Sequence, residues 1–72
     1  GGSFTIELNA INEIAVDAFL NKKISFIQIS QLIETALNQV KSINVSSIED
    51  VLEIDKNARV AGENLVKGFR FA

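Results

Sequence analysis

The sequence predicts an all-α fold, a small antiparallel bundle of three long helices, and three observations point to it. Apolar residues recur at spacings of three and four in three successive segments, which is the period of a helix that buries one face. The segments are joined by connections of about four residues, as in helix bundles. The chain has no proline, and its apolar residues are Ile, Val, Leu, Ala and Phe, a set suited to a helical core with defined rotamers. At 72 residues this is the size of one domain. A domain so small buries only about 60% of the surface its unfolded chain exposes, so its stability should be modest.

The first helix is expected to start early, at Ser3, rather than at Asn9, because an early start places Phe4 on the same arc as Leu8. On a 100° wheel Leu8, Ile11, Ile14, Ala15, Ala18 and Phe19 form the apolar stripe. Asn9, Asn12, Glu13, Asp17 and Asn21 fall opposite. Asn21-Lys22-Lys23 suits the helix end, since Asn tolerates the left-handed conformation and two cations complement the C-terminal dipole.

The second helix carries the clearest start signal. Ser25 and Gln28 form an S-x-x-Q capping box, and Ile24 is placed to staple to Ile29. Phe26, Ile29, Leu32, Ile33, Ala36, Leu37 and Val40 then share one arc, taking this helix to about Lys41.

A turn over Ser42-Ile43-Asn44-Val45 leads to Ser46-Ser47-Ile48-Glu49-Asp50, where either serine can cap and an acid can complete the box. From there Val51, Ile54, Ala58, Ala61, Leu65 and Phe69 form a single seam. Asp55 lies close to it, so the helix either runs through with Asp55 paired to Arg59 or breaks there, which would make four helices. A continuous or slightly bent helix to about residue 69 is expected. Small Ala58, Ala61 and Gly62 would let a neighbouring helix approach closely, although Gly62 costs about 1 kcal/mol of helix propensity.

Composition narrows the function classes. Seven Lys+Arg against nine Asp+Glu give a formal charge of −2, without the basic footprint that nucleic acid or an anionic membrane surface would require. No apolar run approaches the roughly 20 residues of a membrane span, and the first residues lack the layout of a signal peptide, so a soluble intracellular chain is expected. The chain has no histidine and no cysteine, which removes the commonest general base, the commonest transition-metal ligand and any disulfide. Gly1-Gly2-Ser3 reads either as an expression scar or as native sequence.

Few residues suggest chemistry. Glu49, Asp50, Glu53 and Asp55 are the densest acidic cluster, but they lack the EF-hand spacing, and helix N-terminal electrostatics explains them better than a metal site. Ser47-Ile48 bears a slight likeness to the modified serine of acyl carrier proteins but lacks the preceding Asp, and capping accounts for it. Lys22 and Lys23 read as a helix C-terminus. The first helix is more informative. Asn9, Asn12 and Glu13 project from one side, either as a solvated face or as hydrogen-bonding groups for a neighbouring domain. Val16 and Leu20, four apart on that polar side, offer apolar area to a second surface.

Taken in order, Gly1-Gly2-Ser3, Asn9-Ala10-Ile11-Asn12-Glu13, Ala15-Val16-Asp17-Ala18-Phe19-Leu20, Ile24 to Ile29, and Glu49 through Arg59 resemble the C-terminal helical domain of the 1-deoxy-D-xylulose 5-phosphate reductoisomerase family. The resemblance covers nearly the whole chain. It departs at Thr5, where the family often has proline, and at Ile11, which replaces a second alanine and enlarges a packed position. It favours a native Gly1-Gly2-Ser3 and the early helix start, since proline at position 5 would fit the first helical turn.

The resemblance implies an enzyme that isomerises and reduces 1-deoxy-D-xylulose 5-phosphate to 2-C-methyl-D-erythritol 4-phosphate in the non-mevalonate isoprenoid route, using NADPH and a divalent cation, Mg or Mn. It implies a homodimer, cytoplasmic in bacteria or in a plastid-type organelle in eukaryotes. The family's dinucleotide-binding domain, metal carboxylates and substrate loop lie upstream of this region, so no residue here is expected to be catalytic, cofactor-binding or metal-ligating. The 72 residues are expected to be inactive alone, a single bundle that scaffolds the catalytic domain of the same polypeptide through Asn9, Asn12, Glu13, Val16 and Leu20. The alternative is a free-standing helical module that binds another protein through its exposed apolar positions.

Overall fold

The computed structural model describes residues 2–41 and 43–70, and it consists of α1 (Phe4–Leu20), α2 (Phe26–Gln39) and α3 (Ile48–Arg70). Each helix packs on both others, α1 against α3 most extensively. The body measures 37 × 19 × 15 Å. At 1.5 Å per residue, the 23 residues of α3 span about 34 Å, nearly the whole long axis. α3 runs through Asp55 without a break, which leaves three helices and not four. Gly1 and Ser42, parts of the expected first motif and second turn, lie outside the described residues.

α1 starts where the early reading places it, but Ser3 does not cap it. The Ser3 side chain is fully buried, and its Oγ accepts a hydrogen bond from the Ile43 N–H at 3.0 Å. Beside it, Gly2 and Asn44 form an antiparallel bridge. The hydroxyl that would cap the helix instead ties the start of α1 to the α2–α3 connection. That connection is longer than expected because α2 stops at Gln39 and α3 begins at Ile48.

α1 ends in a Schellman motif with its left-handed residue at Lys22 (φ 61°), not at Asn21. The Lys23 N–H donates to Ala18 O at 2.8 Å and the Lys22 N–H to Phe19 O at 3.0 Å, satisfying two terminal carbonyls. Asn21 stays at φ −91°, where its amide reaches back to Asp17 O at 2.8 Å. The capping box of α2 forms as expected. Ser25 Oγ accepts from the Gln28 N–H at 3.3 Å, and Gln28 Oε1 accepts from the Ser25 N–H at 2.8 Å.

The core joins Ala10, Ile11, Ala15 and Ala18 of α1 to Ile24, to Leu32 and Ala36 of α2, and to Ala58 and Val66 of α3. Ile11, the enlarged position, is fully buried and packs without opening the bundle. Each such large aliphatic side chain contributes about 1.5–3 kcal/mol by leaving water. Two expectations fail at helix ends. Phe26, expected in the core arc, is 74% exposed at the first position of α2, where it makes an edge-type contact with Phe19, the ring centroids 5.8 Å apart. Phe4 is likewise mostly exposed at the first residue of α1. Val66, outside the expected seam, is buried.

Candidate interdomain surface

The faces of α1 have different surroundings. Ala10, Ile11, Ala15 and Ala18 occupy the core, so the 3.6-residue period turns Asn9, Glu13, Val16 and Leu20 outward. With Asn12 and Asp17 these residues line one open groove of about 550 Å³. All five positions singled out in the sequence are therefore brought together. Val16 is 38% exposed and Leu20 70%, an apolar pair left uncovered within the bundle.

The polar members are held unequally. Glu13 Oε2 accepts a hydrogen bond from Arg59 Nη2 at 3.1 Å, and Arg59 Nε donates to Asp55 Oδ2 at 2.8 Å. Asp55–Arg59 is the i,i+4 pair expected from the sequence, whereas Glu13–Arg59 joins two helices and could not be read from local spacing. The hydrogen bond that Arg59 donates to Glu13, then the one it donates to Asp55, raises the Arg59 pKa above its ordinary value, and the guanidinium is charged throughout the working range. One edge of the groove is thereby pinned by a charged network. At the other end Asp17 accepts from the Asn21 amide. What the groove offers is apolar area rimmed by amides and carboxylates, the chemistry of a contact surface with a polar rim.

The other candidates resolve into structure. Asp50 Oδ2 accepts from both the Ser46 N–H at 3.0 Å and the Ser46 hydroxyl at 2.9 Å, while Ser47 Oγ accepts from the Asp50 N–H at 3.1 Å. Both serines and Asp50 thus serve the start of α3. These bonds, the Ser46 N–H foremost, hold the Asp50 carboxyl below its ordinary pKa. Among the described residues no three acidic side chains converge to hold a metal ion.

Sequence reasoning missed Glu7. It is only 3% exposed and lines a second groove, of about 610 Å³, between α1, the α2–α3 connection and α3. The signal was there, since Glu7 precedes Ile11 by four residues and so shares its buried arc.

Residues 1–61 match the family model described as the DXP reductoisomerase C-terminal domain. The 1-deoxy-D-xylulose 5-phosphate reductoisomerase of Psychromonas ingrahamii is 52% identical over 67 residues, covering 93% of this chain and 17% of that protein. The enzyme of the same name from Bacillus pumilus is 51% identical over 59 residues, 82% of this chain and 15% of that protein. The solved structure of the Zymomonas mobilis reductoisomerase in complex with NADPH superimposes with a TM-score of 0.86 at 44% identity, over 92% of this chain and 18% of that one. The chain thus spans about a sixth of the length of the relatives it matches.

Proposed function

The chain belongs to the DXP reductoisomerase C-terminal domain family, and from that membership we propose that it is the single, non-catalytic scaffolding bundle of an NADPH-dependent enzyme converting 1-deoxy-D-xylulose 5-phosphate to 2-C-methyl-D-erythritol 4-phosphate. The observation that carries this reading is the match of nearly the whole chain to only a small part of reductoisomerases, one of them solved with NADPH. NADPH and the divalent cation belong, in this reading, to the remainder of the polypeptide. Among the described residues no three acidic side chains converge as a metal-ligand set, and no chemical step is assigned to this bundle.

The bundle's part is mechanical. A catalytic constellation must be held within about 0.5 Å, which requires rigid support from neighbouring elements. The Val16–Leu20 pair, with Asn9, Asn12 and Glu13 at its margin, is the surface we assign to the catalytic domain of the same polypeptide. The complete enzyme is a cytoplasmic homodimer in this reading. No helix among the described residues is long and apolar enough to cross a membrane, which is compatible with that placement.

The test is to read the coding sequence upstream of Gly1 and to assay its product. A strand, a Gly-rich turn and a helix in the dinucleotide-binding manner are expected there, together with substrate-dependent NADPH oxidation by the complete protein in the presence of Mg or Mn. The 72-residue chain alone should show none. A start codon adjoining Gly1, or a complete protein without turnover, would overturn the proposal in favour of a free-standing interaction module.

A further inference from the structure

Ile48 and Leu52 form an apolar face that the bundle core does not use. They stand one helical turn apart on α3 and are 68% and 64% exposed. At about 100° per residue they lie about 120° and 160° around the helix from buried Ile54, so the core draws on the other side of α3. Either residue alone would need no explanation. The pair, however, lies where the chain comes into the bundle.

Two contacts set the route of the incoming chain. Gly2 pairs antiparallel with Asn44, and the buried Ser3 Oγ beside it accepts from the Ile43 N–H at 3.0 Å. In an antiparallel pair each step back along one strand is matched by a step forward along the other. Polypeptide upstream of Gly2 therefore runs beside Val45 and Ser46 toward Ile48. The Ser46 N–H is already taken by Asp50 Oδ2 at 3.0 Å, so the ladder gains no donor there and the first turn of α3 lies ahead. The stretch from Asn44 to Ile48 spans at most about 14 Å and the turn from Ile48 to Leu52 adds about 6 Å, a distance that about six extended residues cover.

We propose that the segment of the same polypeptide immediately upstream of the bundle lays apolar side chains on Ile48 and Leu52. This rests on the reading above, in which the remainder of a reductoisomerase precedes these residues. A covalently attached segment delivered to within a few residues of the face has an effective concentration of about millimolar, ahead of any separate partner. Its contact is with aliphatic area, since the neighbouring Glu49 and Glu53 are themselves exposed to water. The face is separate from the Val16–Leu20 groove of α1, and its occupation fixes the direction in which the chain enters the bundle.

The experiment places p-benzoylphenylalanine at position 48 or 52 of the complete protein, irradiates it and maps the cross-linked peptides by mass spectrometry. Links to the roughly fifteen residues upstream of Gly2 are expected from both positions. The same probe at position 26 should give none to that segment, because exposed Phe26 lies against Phe19 at the other end of α1, about 25 Å away. Ile48→Ser with Leu52→Ser should speed amide exchange of the upstream segment by about tenfold or more, whereas Lys67→Ser, toward the far end of α3, leaves it unchanged. Links from 48 and 52 only to a second molecule, only to a distant part of the chain, or to nothing would overturn the proposal, as would exchange unaltered by the double variant. Substrate-dependent NADPH oxidation is measured on the same preparations. Turnover without these links fails the proposal alone, and links without turnover support it while failing the reductoisomerase reading. The probe replaces exposed residues, so the cross-links decide even where the double variant folds poorly.

Discussion

The Arg59 guanidinium reaches across from α3 to the Glu13 carboxylate of α1 at 3.1 Å, two residues separated by 46 positions in the chain. Glu13 is largely exposed, so this pair gains little Coulomb energy and is open to salt. Its effect is to hold one rotamer of Glu13 at the edge of the outer groove. A double-mutant cycle of Glu13→Gln and Arg59→Met should give a small coupling that disappears in 1 M salt, where the Debye length is about 3 Å. Urea denaturation at the two ionic strengths checks it, and a coupling that survives high salt would mean a desolvated pair.

Val16 and Leu20 test the docking role of the same groove. Within the isolated bundle both are solvent-facing, and their replacement by serine should change stability by no more than about 0.5 kcal/mol. In the complete enzyme each side chain covered by the catalytic domain would contribute up to about 1.5–3 kcal/mol to docking. The double variant should therefore lower turnover or loosen the domain in limited proteolysis, while the melting temperature of the 72-residue chain hardly moves. The opposite ordering would place these residues in the bundle's own stability.

What could be read before the fold was seen follows the range of the interactions. The capping box at Ser25 and Gln28, the Asp55–Arg59 pair and the unbroken α3 are local and were legible from spacing. The five groove residues were legible because one helix's period places them together. Ser3 was not, because its buried hydroxyl serves Ile43, 40 residues away, in place of its own helix. Phe26 failed for a different reason. A wheel assumes an endless helix, whereas the first residue of α2 has no preceding turn of its own helix and stays mostly exposed beside Phe19.

Asp50 makes the start of α3 sensitive to acid. Its carboxyl is held below the ordinary value by the Ser46 N–H and hydroxyl, so its folded pKa lies below its unfolded pKa of about 3.9. The stability it contributes is present above the unfolded value and is lost as pH falls through the folded one. Asp50→Asn should destabilise the chain at pH 7, and the difference from the unaltered chain should shrink toward zero at the acid limit. Amide exchange in the first turn of α3, followed against pH, locates the effect, and a difference independent of pH would remove Asp50 as its source.

Lys22 occupies the left-handed position that closes α1, where a side chain costs about 1–2 kcal/mol. Glycine avoids that cost but brings a flexibility penalty of about 0.5–1 kcal/mol in the unfolded chain. Lys22→Gly should therefore stabilise by about 0.5 kcal/mol, whereas Lys23→Gly, one residue on and without a positive φ, should destabilise by a similar amount. Chemical denaturation of the two variants separates them. Equal effects of either sign would show that backbone conformation is not what distinguishes the positions.

Two glycines of α3 should respond oppositely to the same change. A β-carbon on Gly62 would stand 3.2 Å from Ile14 Cγ2 of α1, while one on Gly68 would meet nothing within 4 Å. Alanine improves helix propensity by up to about 1 kcal/mol at either site. At Gly68, near the end of α3, about half of that should appear as added stability. At Gly62 the half-buried Ile14 must shift into an interior already filled, and overpacking typically costs about 1–3 kcal/mol, so the net change should be destabilising. In an Ile14→Ala background the two γ-carbons in the way are gone, and Gly62→Ala should then become stabilising. Additive effects across this cycle, measured by urea denaturation, would mean that close approach of the helices is not the reason for glycine at position 62.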